Sequence, residues 1–140
     1  MISAPAPGGS TPVVSVYGPA VEVRSRELAE PFTTKDGSTI RVLLDAALGG
    51  AVEQSLAEAW LEPGQATDRH YHAQTEEIYV LLDGEGEMEV EGDRRRVGPG
   101  DAILIPAGAW HQIRADEGAA VRFLCCCAPP YSDADTFLAS

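Results

Sequence analysis

The chain contains three histidines, and two of them stand two residues apart in the stretch ATDRHYHAQTEE. On an extended strand, positions i and i+2 project from the same face, so His70 and His72 can present both imidazoles to one point without backbone strain. Neutral imidazole nitrogens converging with an anionic oxygen form the donor set of a divalent transition-metal centre. Glu76 and Glu77 follow a few residues later. They are adjacent, so only one of them can point inward with the histidines. The remaining histidine, His111, lies in GDAILIPAGAWHQIRA, residues 100–115. There a strand-like run at 102–105 leads into a Pro-Ala-Gly turn, and a second run begins at Trp110. A hairpin at that turn is expected to bring His111 beside the first pair.

The rest of the chain must position these groups. Short apolar runs recur between Gly, Pro and Asp breaks, with no internal repeat and no heptads. Strands are expected at Val13–Tyr17, Ala20–Arg24, Thr39–Leu44, Ser55–Leu61, Glu77–Leu82, Glu87–Val90, Arg94–Val97, Ala102–Ile105, Trp110–Arg114 and Val121–Cys127. Many short strands with regular turns between them imply an all-β sandwich or barrel. Short helical turns are expected near Arg26–Ala29 and Asp133–Leu138. From Glu77 to Leu82 both faces of the strand read as largely apolar, which implies a covering layer on each side, either the other sheet or another subunit.

The bulk composition narrows the partners. The chain has 140 residues and a net charge of −12, and the length implies one domain at 13–140 behind a flexible tail at 1–12. An acidic field of that size repels phosphate backbones and anionic membrane surfaces, which argues against nucleic acid and membrane as partners. No stretch is long and apolar enough to span a bilayer, and the first residues lack the charge and apolar core of a secretory signal. The three cysteines are consecutive, Cys125 to Cys127. Neighbours on a strand face opposite ways and pair poorly, so reduced thiols in a cytoplasmic protein are expected, packed chiefly as small apolar groups.

The two histidine stretches resemble the paired signatures of the cupin superfamily. Gly64, His70, His72, Glu77 and Gly84 match the first, and Gly100, Pro106, Gly108 and His111 match the second; Ala115 stands where that signature ends in Asn. The resemblance covers roughly residues 64–115. It implies a double-stranded β-helix, or jelly-roll barrel, and one divalent ion per chain (Fe, Mn, Ni, Co, Cu or Zn) held by His70, His72, Glu77 and His111. It favours Glu77 over Glu76, because six residues separate Glu77 from Gly84. A one-residue shift would also turn Tyr79 and Leu81 to the other face.

The resemblance further implies a homodimer, with the N-terminal strand packed against the partner. It also implies a metal-dependent enzyme acting on a small oxygenated substrate by dioxygenation, isomerisation or cyclisation, or lyase chemistry. The alternative is a non-catalytic metal- or ligand-binding cupin. Tyr79 shares a face with Glu77 and is the candidate acid/base, as in the similar dimethylsulfoniopropionate lyases; its plainer reading is a barrel aromatic. Trp60, Trp110 and Phe123 read as packing residues, and Arg94, Arg95 and Arg96 as a solvated hairpin. Arg69, Arg114 and Arg122 would serve an anionic substrate if they faced the mouth of the barrel.

Overall fold

A computed structural model describes residues 21–140. Among the described residues, eleven strands form two antiparallel sheets. The larger sheet runs in the order β1 (Phe32–Thr33), β2 (Thr39–Leu44), β3 (Ser55–Leu61), β10 (Val121–Ala128), β5 (Glu76–Asp83) and β8 (Ala102–Ile105). The smaller runs β11 (Thr136–Leu138), β4 (His70–His72), β9 (His111–Ala115), β6 (Gly86–Val90) and β7 (Asp93–Val97). The inner faces meet in one core, with Leu61, Tyr79, Leu81, Ile105, Val121 and Phe123 from the larger sheet against Met88, Ile113 and Ala115 from the smaller. This is the expected jelly roll.

The period-2 rule explains which residues reach that core. In β3, Ala59 and Leu61 face inward and are buried, while Trp60 is half-buried on the outside. In β5, Glu77, Tyr79 and Leu81 are buried, but the opposite face is only partly covered, with Ile78 39% exposed. The expectation that both faces of this strand are buried therefore holds on one face only within a single chain.

Two further expectations change. Residues 102–115 do not form a hairpin: β8 pairs with β5 in the larger sheet, whereas β9 pairs with β4 and β6 in the smaller. The Pro106–Gly108 turn is a crossover between sheets. It still delivers His111, because β4 and β9 pair with His70 opposite His111. No strand forms over residues 21–24, which are exposed, while Val13–Tyr17 lies outside the described residues. The expected helical turns are short 3-10 segments at Arg26–Leu28 and Asp133–Asp135, the second running directly into β11.

Glycines at two signature positions have a packing reason. Gly84 ends β5 at φ +80°, and a Cβ there would collide with the Ala120 carbonyl oxygen. Gly108 takes φ +82° and donates its N–H to the His72 carbonyl oxygen at 2.7 Å, tying the crossover to β4. Both conformations are strained for any residue with a side chain.

Candidate metal centre

β4 and β9 bring the three imidazoles together. Ligand atoms of His70, His72 and His111 lie within 4.8 Å of one another, and all three side chains are buried. Each ring is oriented by a bond from its other nitrogen. His70 Nδ1 lies 2.6 Å from the Asp68 carbonyl oxygen and His111 Nδ1 2.9 Å from that of Ala109. A carbonyl only accepts, so both Nδ1 atoms carry the proton. His72 Nδ1 lies 3.0 Å from Thr136 Oγ1, whose own hydrogen goes to the Ser132 carbonyl oxygen at 2.8 Å. That hydroxyl must therefore accept, and His72 also carries its proton on Nδ1. In the neutral rings this leaves all three Nε2 atoms as bare acceptors in one cluster. Burial, reinforced by the neighbouring His111, lowers the pKa of His70 and favours its neutral form.

Glu77 comes from β5, across the barrel. Its Oε1 lies 3.2 Å from His72 Nε2 and 3.7 Å from His111 Nε2, while Oε2 accepts from the Cys127 thiol at 3.2 Å. Burial pushes this carboxyl up, whereas a proton on the facing Nε2 of His111 or His72 outweighs burial and holds it at about 2. Glu76 is exposed on the other face of the strand. Glu77 Oε1 and His111 Nε2 are both buried with no hydrogen-bond partner among the described residues. With the imidazoles neutral, acceptor faces acceptor, and a buried pair of that kind is satisfied by a shared proton or by a metal cation between them. Ligand atoms about 2.0–2.2 Å from an ion stand roughly 3–4 Å apart; Glu77 Oε1 stands at such distances from His72 and His111, and the imidazole atoms lie within 4.8 Å of one another. The residues present therefore fit a divalent ion.

A second carboxylate reaches the cluster that the sequence reading missed. Asp36, in the turn between β1 and β2, places Oδ2 3.4 Å from His70 Nε2. Its Oδ1 accepts from Thr34 Oγ1, the Ser38 N–H and Ser38 Oγ at 2.7–2.9 Å, which fixes the carboxylate in place. In the sequence Asp36 stands before Gly37 and reads only as a turn residue. Thr136 gave no signal either, since it lies 64 residues from the histidine it orients.

A cavity of roughly 590 Å³, counting its open mouth, adjoins the cluster through His72 and Glu77. Ile40, Val42, Tyr79, Phe123 and Tyr131 contribute its apolar wall. Tyr79 is buried, packs on the Phe123 ring at 4.7 Å and lines the cavity, so the barrel-aromatic and pocket-phenol readings describe the same side chain. Burial, with the Glu77 charge, pushes its phenol well up and keeps it protonated. Cys125 and Cys127 line the cavity as well, and burial raises both thiols.

The other candidates lie elsewhere. Trp60 and Trp110 carry the guanidinium groups of Arg41 and Arg69 at 4.9 and 5.2 Å from their ring centres. Arg94, Arg95 and Arg96 are exposed on β7, as expected. Arg69 is paired with Glu89, and Arg122 with Asp83 and Glu58; Arg114 donates to the Gly64 carbonyl oxygen.

A family model described as "Cupin domain" matches residues 58–127, half of the chain. MJ1618, an uncharacterized protein of Methanocaldococcus jannaschii, is 43% identical over 107 residues, spanning 76% of this chain and 86% of that one. Polyketide synthase CurC of Streptomyces cyaneus is 29% identical over 91 residues, 64% of this chain and 59% of its own length. Among solved structures, the polyketide cyclase RemF from Streptomyces resistomycificus superposes with a TM-score of 0.69 at 27% identity, covering 77% of this chain and 79% of that one. The signature histidines meet between two jelly-roll sheets, the domain description spans both signatures, and the archaeal relative aligns over most of both chains; the chain belongs to the cupin family.

Proposed function

We propose that this cupin is a metal-dependent enzyme with a mononuclear centre held by His70, His72, Glu77 and His111, acting on a small oxygenated organic substrate. The observation that carries the reading is the cluster of three buried imidazoles, two of which, His72 and His111, stand against the partnerless Glu77 Oε1. A divalent ion bound there supplies Lewis acidity toward a carbonyl or hydroxyl oxygen. The protein does the rest. The cavity wall formed by Ile40, Val42 and Phe123 excludes water from the apolar part of the substrate. Tyr79 offers a protonated hydroxyl at that wall, and Cys127 holds Glu77 so that Oε1 faces the imidazoles.

Among dioxygenase, isomerase or cyclase, and lyase chemistry, cyclisation of a polyketide-type chain has the most support, because CurC and RemF are named for polyketide chemistry. Incubating metal-loaded protein with a poly-β-ketone thioester and following cyclised products by mass spectrometry tests this. The reading expects one dominant cyclised product, with the His72→Ala variant falling to the uncatalysed mixture. Identical products from both proteins would refute it.

A homodimer and a cytoplasmic location belong to the same proposal. The dimer is supported by the apolar outer face of the larger sheet, where Ile78 and Leu104 are 39% and 56% exposed. Light scattering at micromolar concentration should give twice the chain mass, and a monomer would count against it. The three free thiols support a reducing compartment.

A further inference from the structure

The chain has ten lysine and arginine residues, and residues 1–20 contain none of them. Each is engaged away from the cavity. Arg24 pairs with Glu22, Arg26 and Arg41 with Glu58, and Arg69 with Glu89. Arg94 pairs with Glu87, Arg95 with Asp93, Arg96 with Asp116 and Arg122 with Asp83. Arg114 donates to the Gly64 carbonyl oxygen. Lys35, nearest in sequence to the site, donates to the carbonyl oxygens of Thr136 and Asp133 at 2.7 and 3.3 Å. None of the ten lines the cavity, whereas Asp36, Asp45 and Glu77 all do.

This distribution decides what the cavity can hold. A carboxylate or phosphate leaving water needs fixed positive charge or dense hydrogen-bond donors in exchange. Here the neutral polar lining is Thr34, Ser38, Ser55, His72, Tyr79 and Tyr131; the hydroxyls of Thr34 and Ser38 are bonded to Asp36 and that of Tyr131 to Asp133, which leaves Ser55 and Tyr79 as sparse uncharged donors. The two charges of a divalent ion held by the histidines would be offset by Glu77 and by Asp36, whose Oδ2 stands 3.4 Å from His70 Nε2. Asp45 adds a further negative charge at the β2 end. The loaded site would then carry no net positive charge to draw in an anion beyond the ion's own open positions, while its carboxylate oxygens can accept from hydroxyl groups. Opposite them, the walls are apolar and aromatic.

We propose that the cavity takes uncharged, hydroxyl-bearing ring compounds and discriminates against their carboxylate analogues, with Asp36 as the specificity-determining residue. The inference rests on the metal-centre reading above for the location of the substrate, and it adds the substrate's charge class. Asp36→Asn is the informative variant, because an Asn carbonyl oxygen still accepts the Thr34 and Ser38 bonds while the charge is lost. Asp45→Asn provides a second variant outside the histidine cluster.

The test uses an isosteric pair, 3-hydroxy-2-naphthamide and 3-hydroxy-2-naphthoate, titrated by calorimetry at pH 7.5 into metal-loaded and chelator-treated protein. Metal content is measured on the same samples. The amide should bind wild-type protein at least tenfold more tightly than the acid. Asp36→Asn should narrow that ratio at least threefold by strengthening the acid, and Asp45→Asn should narrow it less. Equal or tighter binding of the acid to the wild type, an unchanged ratio in Asp36→Asn, or no binding of either compound would overturn the inference. A ratio that holds in protein unable to load metal would sink the metal reading and leave the charge selectivity standing. One ion per chain with no discrimination would do the reverse.

Discussion

Thr136 matters to the site without touching its centre. Its hydroxyl donates to Ser132 and must accept from His72 Nδ1, so it sets the tautomer that bares His72 Nε2. Partners of this kind are typically worth about 10–100-fold in metal affinity. Thr136→Val keeps the shape and removes the acceptor, so competition with a chelator should show a loss of that order while the fold is retained. Unchanged affinity would mean that His72 needs no such orientation. Asp36 illustrates why part of the site was hidden in the sequence. The signature spacing singles out His70, His72, Glu77 and His111, but nothing in an Asp-Gly turn distinguishes a carboxylate pointing at a histidine 34 residues downstream from one that merely closes the turn.

At the scale of elements, the strands most legible in the sequence are those with apolar runs between strong breaks. Thr39–Leu44, Ser55–Leu61 and Ala102–Ile105 form with the expected bounds. The strands that went unread are short or polar. β4 is only His-Tyr-His, β1 has two residues and β11 three, and none carries a period that its own sequence could display. The pairing of β8 with β5 rather than with β9 was equally hidden, because a Pro-Ala-Gly turn fits a hairpin and a crossover alike. Gly84 belongs to this scale, since it lets the end of β5 pass the Ala120 carbonyl at the start of β10. Gly84→Ala combines a positive φ with a backbone collision. It should cost about 1–3 kcal/mol in chemical denaturation. A variant as stable as wild type would show that the turn can relax.

For the whole molecule, the charge of −12 makes the placement of its few cations decisive. Three of them, Arg26, Arg41 and Arg122, converge on Glu58, which is 2% exposed on the outer side of β3. Burial raises the Glu58 carboxyl, but the Arg26 and Arg122 hydrogen bonds outweigh it and the net shift is downward. A folded pKa below the unfolded value stabilises the fold above about pH 4.3, the ordinary value for a Glu carboxyl, and that contribution is lost as pH falls through the folded value. Glu58→Gln should therefore destabilise by about 1–3 kcal/mol at pH 7. The gap in melting temperature should stay constant down to about pH 5 and shrink below pH 4. A gap independent of pH would show that the charge of Glu58 plays no part.

An ion at the buried acceptors is the central claim. Elemental analysis by mass spectrometry should be made on protein purified without a metal-chelating tag, beside the His72→Ala variant. One transition-metal ion per chain is expected in the wild type, lost in the variant. Wild-type protein that remains metal-free after reconstitution with each candidate ion would contradict it.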